Sequence, residues 1–225
     1  PIAFISPGKN YLEPNINIIT DDILDFEYKN KLQKYLDTWL KKFIENKLYD
    51  LVYLNKVEKN KPAIRALCYQ LFENNGVLKR DIVNDFIKKL SIEDRKILRK
   101  YGIKIGRYHI YLYKIIKPEA VTIRILLWKN FYKKNLNLEP PKFGLNFIVE
   151  EKNIDKKFML ICGFEKFENF YIRIDILERL FLKIMDLSKE KVAEIKLIPE
   201  MLNLLGCGKE DFLKLIKKMN YSSFL

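Results

Sequence analysis

Between Lys104 and Tyr113 the chain reads KIGRYHIYLY. Fixed positive charges are interleaved there with flat phenol rings. Cations neutralise phosphates and rings stack on bases, so this mixture suits a nucleic-acid strand. Lys104, Arg107, His109 and Tyr111 are the candidate binding residues on this stretch, and Lys79, Arg80, Arg99, Lys117 and Arg124 are the candidates around it. Arg107 fits a phosphate best, because a guanidinium is planar, offers two parallel donors and stacks on rings. His109 is the only histidine of the chain. A lone strand histidine is more often hydrogen-bonded within the fold than bound to a ligand. A solvated strand face, on which tyrosines are common, would give the same pattern.

Other chemistries lack their residues. No G-x-x-x-x-G-K-[ST] occurs, since Gly8-Lys9 and Gly208-Lys209 continue to neither Ser nor Thr. No G-x-G-x-x-G is present for a dinucleotide. Cys68, Cys162 and Cys207 are far apart and flanked by apolar residues. They read as buried thiols of a reducing compartment, not as a metal set. The acidic residues are scattered along helices, and His109 has no nucleophile arranged near it in sequence. Asp175 in "RIDILERL" reads as an N-cap and as the i,i+4 partner of Arg179. Catalysis by this chain alone is not expected, nor is a cofactor or metal bound to it.

The 225 residues carry a net charge of +13, and 48% of them are hydrophobic. That excludes a disordered tail. Lys, Asn and Ile are all abundant, so part of the lysine excess is compositional drift. Its placement carries more meaning. Residues 76 to 135 hold sixteen Lys and Arg against five Asp and Glu. A concentrated excess points to an anionic partner, with a solvated helix face as the plainer explanation. The most hydrophobic run, "VTIRILLWKNF", is too short to span a bilayer and is broken by Arg124 and Lys129. The chain is expected in the cytoplasm, away from membranes. It opens on Pro1 without a methionine and is expected to be cut from a longer polypeptide.

The elements that must position these residues read as α+β, mostly α-helical with short antiparallel strands. Three segments are expected: residues 1–20, a strand or hairpin around Pro7-Gly8; 21–135, a helical domain carrying a bulged strand at 103–113; and 136–225, a smaller α+β domain ending in a helix–turn–helix. Asp21 and Asp22 are placed to cap a long helix with Leu32, Leu36, Trp39, Leu40, Phe43 and Ile44 at helical spacing. Pro62 opens the next helix and Gly76 ends it. A helix is expected over 79–90, then one opened by a capping box at Ser91 and closed by Gly102. Beyond Gly102 the apolar residues fall at Ile103 and Ile105, then on the opposite parity at Tyr108, Ile110 and Leu112. One extra residue at Gly106 would return both sets to one buried face. Pro118 opens a helix with Val121, Ile125 and Trp128 on one side. After the break at Pro140-Pro141 come a short helix ending at Gly163, a strand "FYIRI", a helix from Asp175 and a strand "VAEIKLI". The terminal helix–glycine–helix resembles a helix-turn-helix or winged helix, though its charges of both signs suit packing as well as groove insertion.

The segments "ALCYQLFENNGVLKRD", "LRKYGIKIGRYHIYL", "KPEAVTIRILLW", "GFEKFENFYIRIDILERL" and "IPEMLNLLGCGKEDFLKLIKKMNY" follow one another in order. Together with "LEPNINIITDD" and "YLDTWLKKFIENKL" they resemble the C-terminal region of superfamily-two ATP-dependent helicases of alphaproteobacteria, similar to the mitochondrial RNA degradosome helicase. The resemblance covers essentially the whole chain and is most specific from Arg65 to Trp128. It implies two RecA-like motor domains preceding this region, which would carry the ATP and Mg sites. It also implies that this region packs beside the motor and lines the path of a single strand of RNA or DNA. Tyr113 stands where the family usually has proline, and Arg107 where it has a small residue. A role for Arg107 would therefore be local to this chain. The competing expectation is a protein-interaction scaffold with no nucleic-acid contact.

Overall fold

The computed structural model describes residues 2–19, 25–54, 61–133, 138–150, 154–167, 169–188, 199–219 and 221. It is α+β, mostly helical with short antiparallel strands. β1 (Ala3–Ser6) and β2 (Asn15–Ile18) form an antiparallel hairpin in the register Ala3↔Ile18 to Ser6↔Asn15. α1 (Phe26–Lys47) packs on β2, and Gln33 Nε2 donates to the Ile16 carbonyl at 3.0 Å. The expected caps Asp21 and Asp22 lie outside the described residues. α2 (Tyr49–Leu54) and α3 (Pro62–Glu73) follow, with Pro62 in the first turn of α3, where its missing N–H is not needed.

From α3 onward one compact unit is built. Its elements are α3, β3 (Val77–Lys79), α4 (Asn84–Lys88), α5 (Ile92–Lys100), β4 (Ile103–Ile105) and β5 (His109–Leu112). The sheet order is β3–β5–β4, antiparallel throughout. Helix–strand–helix–helix–strand–strand with the last strand central is the arrangement of a winged helix. α5 starts where a capping box forms. The Ser91 hydroxyl accepts from the Asp94 N–H at 3.2 Å, and the Asp94 carboxylate accepts from the Ser91 N–H at 3.0 Å. Gly102, at φ +77°, ends the helix in a conformation that costs other residues more.

Two expectations about this unit are corrected. The helix expected over 79–90 is instead β3, a 3₁₀ turn at Arg80–Val83 and the short α4. Lys79, the first residue of that span, is drawn into β3 by pairing with His109, a partner thirty residues away. The bulged strand at 103–113 is instead a hairpin. The chain reverses at Arg107–Tyr108, and the Gly106 N–H donates to the His109 carbonyl at 2.8 Å. Reversal explains the parity change as well as a bulge would. Ile103 faces Leu112 and Ile105 faces Ile110, all toward the core, while Lys104 faces Tyr111 on the opposite side.

A 3₁₀ turn at Tyr113–Ile116 leads into α6 (Pro118–Tyr132). Then come β6 (Phe147–Val149), α7 (Lys156–Ile161), β7 (Phe164–Phe167), β8 (Phe170–Arg173) and α8 (Ile174–Ser188). The second three-stranded sheet has the order β6–β8–β7. α9 (Pro199–Leu205) and α10 (Lys209–Lys218) close the described chain, and Phe212 and Leu215 of α10 are buried. The strand expected in "VAEIKLI" lies outside the described residues.

Three apolar clusters are formed among the described residues. One joins α2, α3, β3 and β5 through Leu51, Leu67, Leu71, Leu78, Ile110 and Leu112. One joins β8, α8, α9 and α10 through Ile172, Leu177, Leu205 and Leu215. The third places Val121, Ile125 and Trp128 of α6 against Phe158, Phe164 and Tyr171. Packing is therefore continuous across the boundary expected at residue 136.

Candidate nucleic-acid interface

The chain has eight arginines against thirty-four lysines. Six of those arginines (Arg80, Arg95, Arg99, Arg107, Arg173 and Arg179) line one cleft of about 820 Å³. Among the described residues, two lysines join them, Lys104 and Lys117. One wall is α5, β4 and the hairpin tip; the other is α8. Two carboxylates line it, Asp175 and Glu178, and both are engaged by the protein. Asp175 accepts from Arg173 Nε at 2.6 Å and Nη2 at 3.1 Å. It neither caps α8, which begins at Ile174, nor pairs with Arg179 as the spacing suggested.

Glu178 fastens the two walls together. Its carboxylate accepts three backbone N–H groups of the hairpin tip: Arg107 at 2.6 Å, Tyr108 at 2.9 Å and His109 at 2.8 Å. Burial alone would raise its pKa, but the bonds from His109 and from these amides outweigh burial and hold it below the usual carboxylate range. A Cβ on Gly106 would overlap that carboxylate, so the close approach requires glycine. The phenol of Tyr108 packs edge-on against Phe181, and the Arg107 guanidinium lies 5.8 Å from the same ring.

The remaining cations divide into anchored and available groups. Arg80 Nη1 donates to the Gly106 carbonyl at 2.7 Å, and Arg95 Nη2 to the Ile87 carbonyl at 3.0 Å. Arg99, Lys104, Arg107, Lys117 and Arg179 are exposed, and no carboxylate among the described residues pairs with them. Five unneutralised cations around one cleft make a strongly positive field. Sequence reasoning placed Arg80, Arg99, Lys104, Arg107 and Lys117 here. It missed Arg95, Arg173 and Arg179, whose signal was their type: arginine where the composition favours lysine.

Three other expected residues are elsewhere, and Tyr111 is buried in the cleft floor. His109 is 2% exposed and sits between two carboxylates, with Nε2 3.0 Å from Glu165 and Nδ1 3.6 Å from Glu178. Burial would lower the imidazole pKa, but those carboxylates outweigh burial and hold it above its ordinary value. Lys79 is exposed but bound to Glu165 at 2.7 Å, outside the cleft. Tyr111 is 3% exposed and forms part of the cleft floor. Burial, with Asp175 and Glu178 nearby, pushes its phenol far up. The face of β5 that carries His109 and Tyr111 is the expected one, but β7 and α8 cover it.

Arg124 is fully buried. Its Nη1 donates to the Ile115 and Ile161 carbonyls at 3.3 and 3.0 Å, and its Nη2 to the Asn75 carbonyl at 2.7 Å. Ile161 ends α7 and Asn75 follows α3, so the guanidinium gathers carbonyls that helix ends leave without partners. It ties the fold and meets no ligand.

No metal-binding group of His, Cys, Asp or Glu exists among the described residues. Burial pushes the Cys68 and Cys162 thiols up to about 12, which leaves them protonated and unreactive. No described helix is long and apolar enough to cross a membrane. No family model, curated protein or solved structure matches the chain.

Proposed function

We propose that this chain is a nucleic-acid-gripping accessory region of an ATP-dependent helicase, probing RNA or DNA beside RecA-like motor domains carried elsewhere. The concentration of six of eight arginines in one cleft supports this most. Arginine pairs two donors with two phosphate oxygens in a fixed plane, which a lysine cannot do. Glu178 fastens the hairpin tip to α8, so the backbone that carries Arg107 and the helix that carries Arg179 are fixed on opposite sides of the cleft. The sequence resemblance supplies the motor: ATP and Mg would be bound there, and this region would contribute contact, in the cytoplasm. Nothing in the cleft calls for cleavage chemistry.

Fluorescence anisotropy of labelled single-stranded RNA and DNA across a salt series tests this. With all five unpaired cations engaged, log K should fall against log salt with a slope of about −3.5. The Arg99→Glu/Arg179→Glu double variant should bind at least tenfold more weakly at low salt, with a shallower slope. Absence of any low-salt affinity in the unaltered chain removes the proposal.

A second reading has its own observation. α1 leaves Tyr28, Tyr35 and Trp39 exposed, and Trp39 stacks on Phe43 with ring centres 5.5 Å apart. Exposed aromatic residues on one helix suit a protein partner. A chain that binds no nucleic acid but is held to a partner through α1 would be the scaffold, and its association would be weakly dependent on salt.

A further inference from the structure

At the rim of the arginine cleft stands Tyr113, 40% exposed. The ammonium groups of Lys104 and Lys114 lie 5.6 and 5.7 Å from its ring centre. Lys114 is held by Asp50 of α2 at 3.1 Å. Tyr49 and Tyr53 stand one turn apart on α2. Their rings stack with centres 5.5 Å apart and planes 18° from parallel. Tyr53 in turn tilts against Tyr101, at the end of α5, at 5.7 Å. Tyr49 and Tyr53 are 58% and 36% exposed. Tyr113 thus stands at the cleft rim with lysines beside its ring, and the stacked Tyr49 and Tyr53 add further exposed aromatic surface on α2.

We propose that these tyrosines form a base-stacking platform that continues the arginine cleft. This rests on reading the cleft as a nucleic-acid site. The ligand is single-stranded: its phosphates cross the arginines, and its bases turn out and lie on Tyr113, Tyr49 and Tyr53. A duplex presents no open base faces for such rings, whereas every unpaired base has one, so recognition is independent of sequence. A protein-docking surface would deplete lysine at its centre. Here Lys104 and Lys114 stand directly over a ring, in reach of a polyanion that passes alongside. The platform meets the cleft at Tyr113, which lines the cleft beside Lys104.

The test compares the unaltered chain with Tyr113→Ala and Tyr49→Ala/Tyr53→Ala on three labelled ligands. These are a single strand of about twelve nucleotides, within the usual site size, an abasic sugar-phosphate strand of equal length, and a blunt duplex. Tyr113→Ala should bind the single strand about tenfold more weakly, the loss expected for one stacked base, and the double variant, which removes two rings, about a hundredfold more weakly. Their affinity for the abasic strand and the duplex, and the salt slope, should stay unchanged, which also shows that the fold is intact. The corresponding phenylalanine variants should bind as the unaltered chain does. Alanine variants that lose nothing, or that lose as much on the abasic strand, overturn the platform while leaving the cleft standing. If the unaltered chain binds none of the three ligands, the cleft reading fails and the platform falls with it.

Discussion

Glu178 is the residue on which the cleft geometry depends. One carboxylate satisfies three amides at a hairpin tip and approaches an imidazole. Gly106→Ala would push it out and leave those buried groups short of partners. Hydrogen bonds to a charged acceptor contribute about 1.5–3 kcal/mol each, and part of that is recovered by water. A loss of about 2–4 kcal/mol is expected for Gly106→Ala and for Glu178→Ala alike. The two changes break one and the same contact, so the double variant should cost little more than either single one. Urea unfolding of the four proteins measures this, and additive losses would show that the clasp has been misread. At this scale the sequence was a partial guide. Arg107 and Arg99 announced themselves by type. Arg124 and His109 have the same chemistry on paper, yet one is consumed by helix-end carbonyls and the other by carboxylates about sixty residues away in sequence. Only the tertiary partner distinguishes a binding cation from a structural one.

At the scale of elements, local signals worked where a side chain meets its own backbone. Ser91, Pro62, Pro118, Gly76 and Gly102 all sit at the helix limits their chemistry implies. Ser91→Ala should therefore destabilise α5 by about 1 kcal/mol, the usual cost of a lost N-cap. Because α5 carries Arg95 and Arg99, the same variant should weaken nucleic-acid binding only slightly. A thermal midpoint unchanged from the parent would show that the cap contributes nothing. Strands were harder to read. β3 has three residues and β4 has three, too few for alternation to speak. Their assignment comes from pairing with β5, a contact that no local window contains. The hairpin was mistaken for a bulge because both return Ile103, Ile105, Ile110 and Leu112 to one side. Gly106 marked the irregularity without revealing its direction.

At the scale of the molecule, the winged-helix unit and the C-terminal sheet meet through a chain of charge that starts at the exposed Lys79 and runs inward through Glu165, His109 and Glu178. The folded pKa of His109 is raised, so its contribution to stability is fully present below the unfolded value, about 6.5. It is lost as pH rises through the folded value. Glu165 and Glu178 are lowered, so their contribution is present above the ordinary carboxylate value and lost as pH falls through the folded one. Stability from this junction should therefore be greatest between roughly pH 4.5 and 6.5. Because His109 is the only histidine, His109→Gln should remove the decline above that window. Urea midpoints of both proteins from acid to mildly alkaline pH would show it, and parallel profiles would refute it. The continuous core across residue 136 was not legible beforehand, because Pro140-Pro141 punctuates the sequence without separating what packs on either side.

Both three-stranded sheets share one topological habit: the central strand is the last of its three along the chain. β4–β5 and β7–β8 are local hairpins and can form within microseconds. β3 and β6 cannot pair until their partners β5 and β8 have been made. During synthesis each of the two earlier strands must wait, unzipped, for about thirty residues or fewer to emerge. A ribosome stalled before Tyr111 would display β3 with its ladder unfilled. The arginine cleft, whose walls come from both units, is therefore among the last features of this protein to come into being.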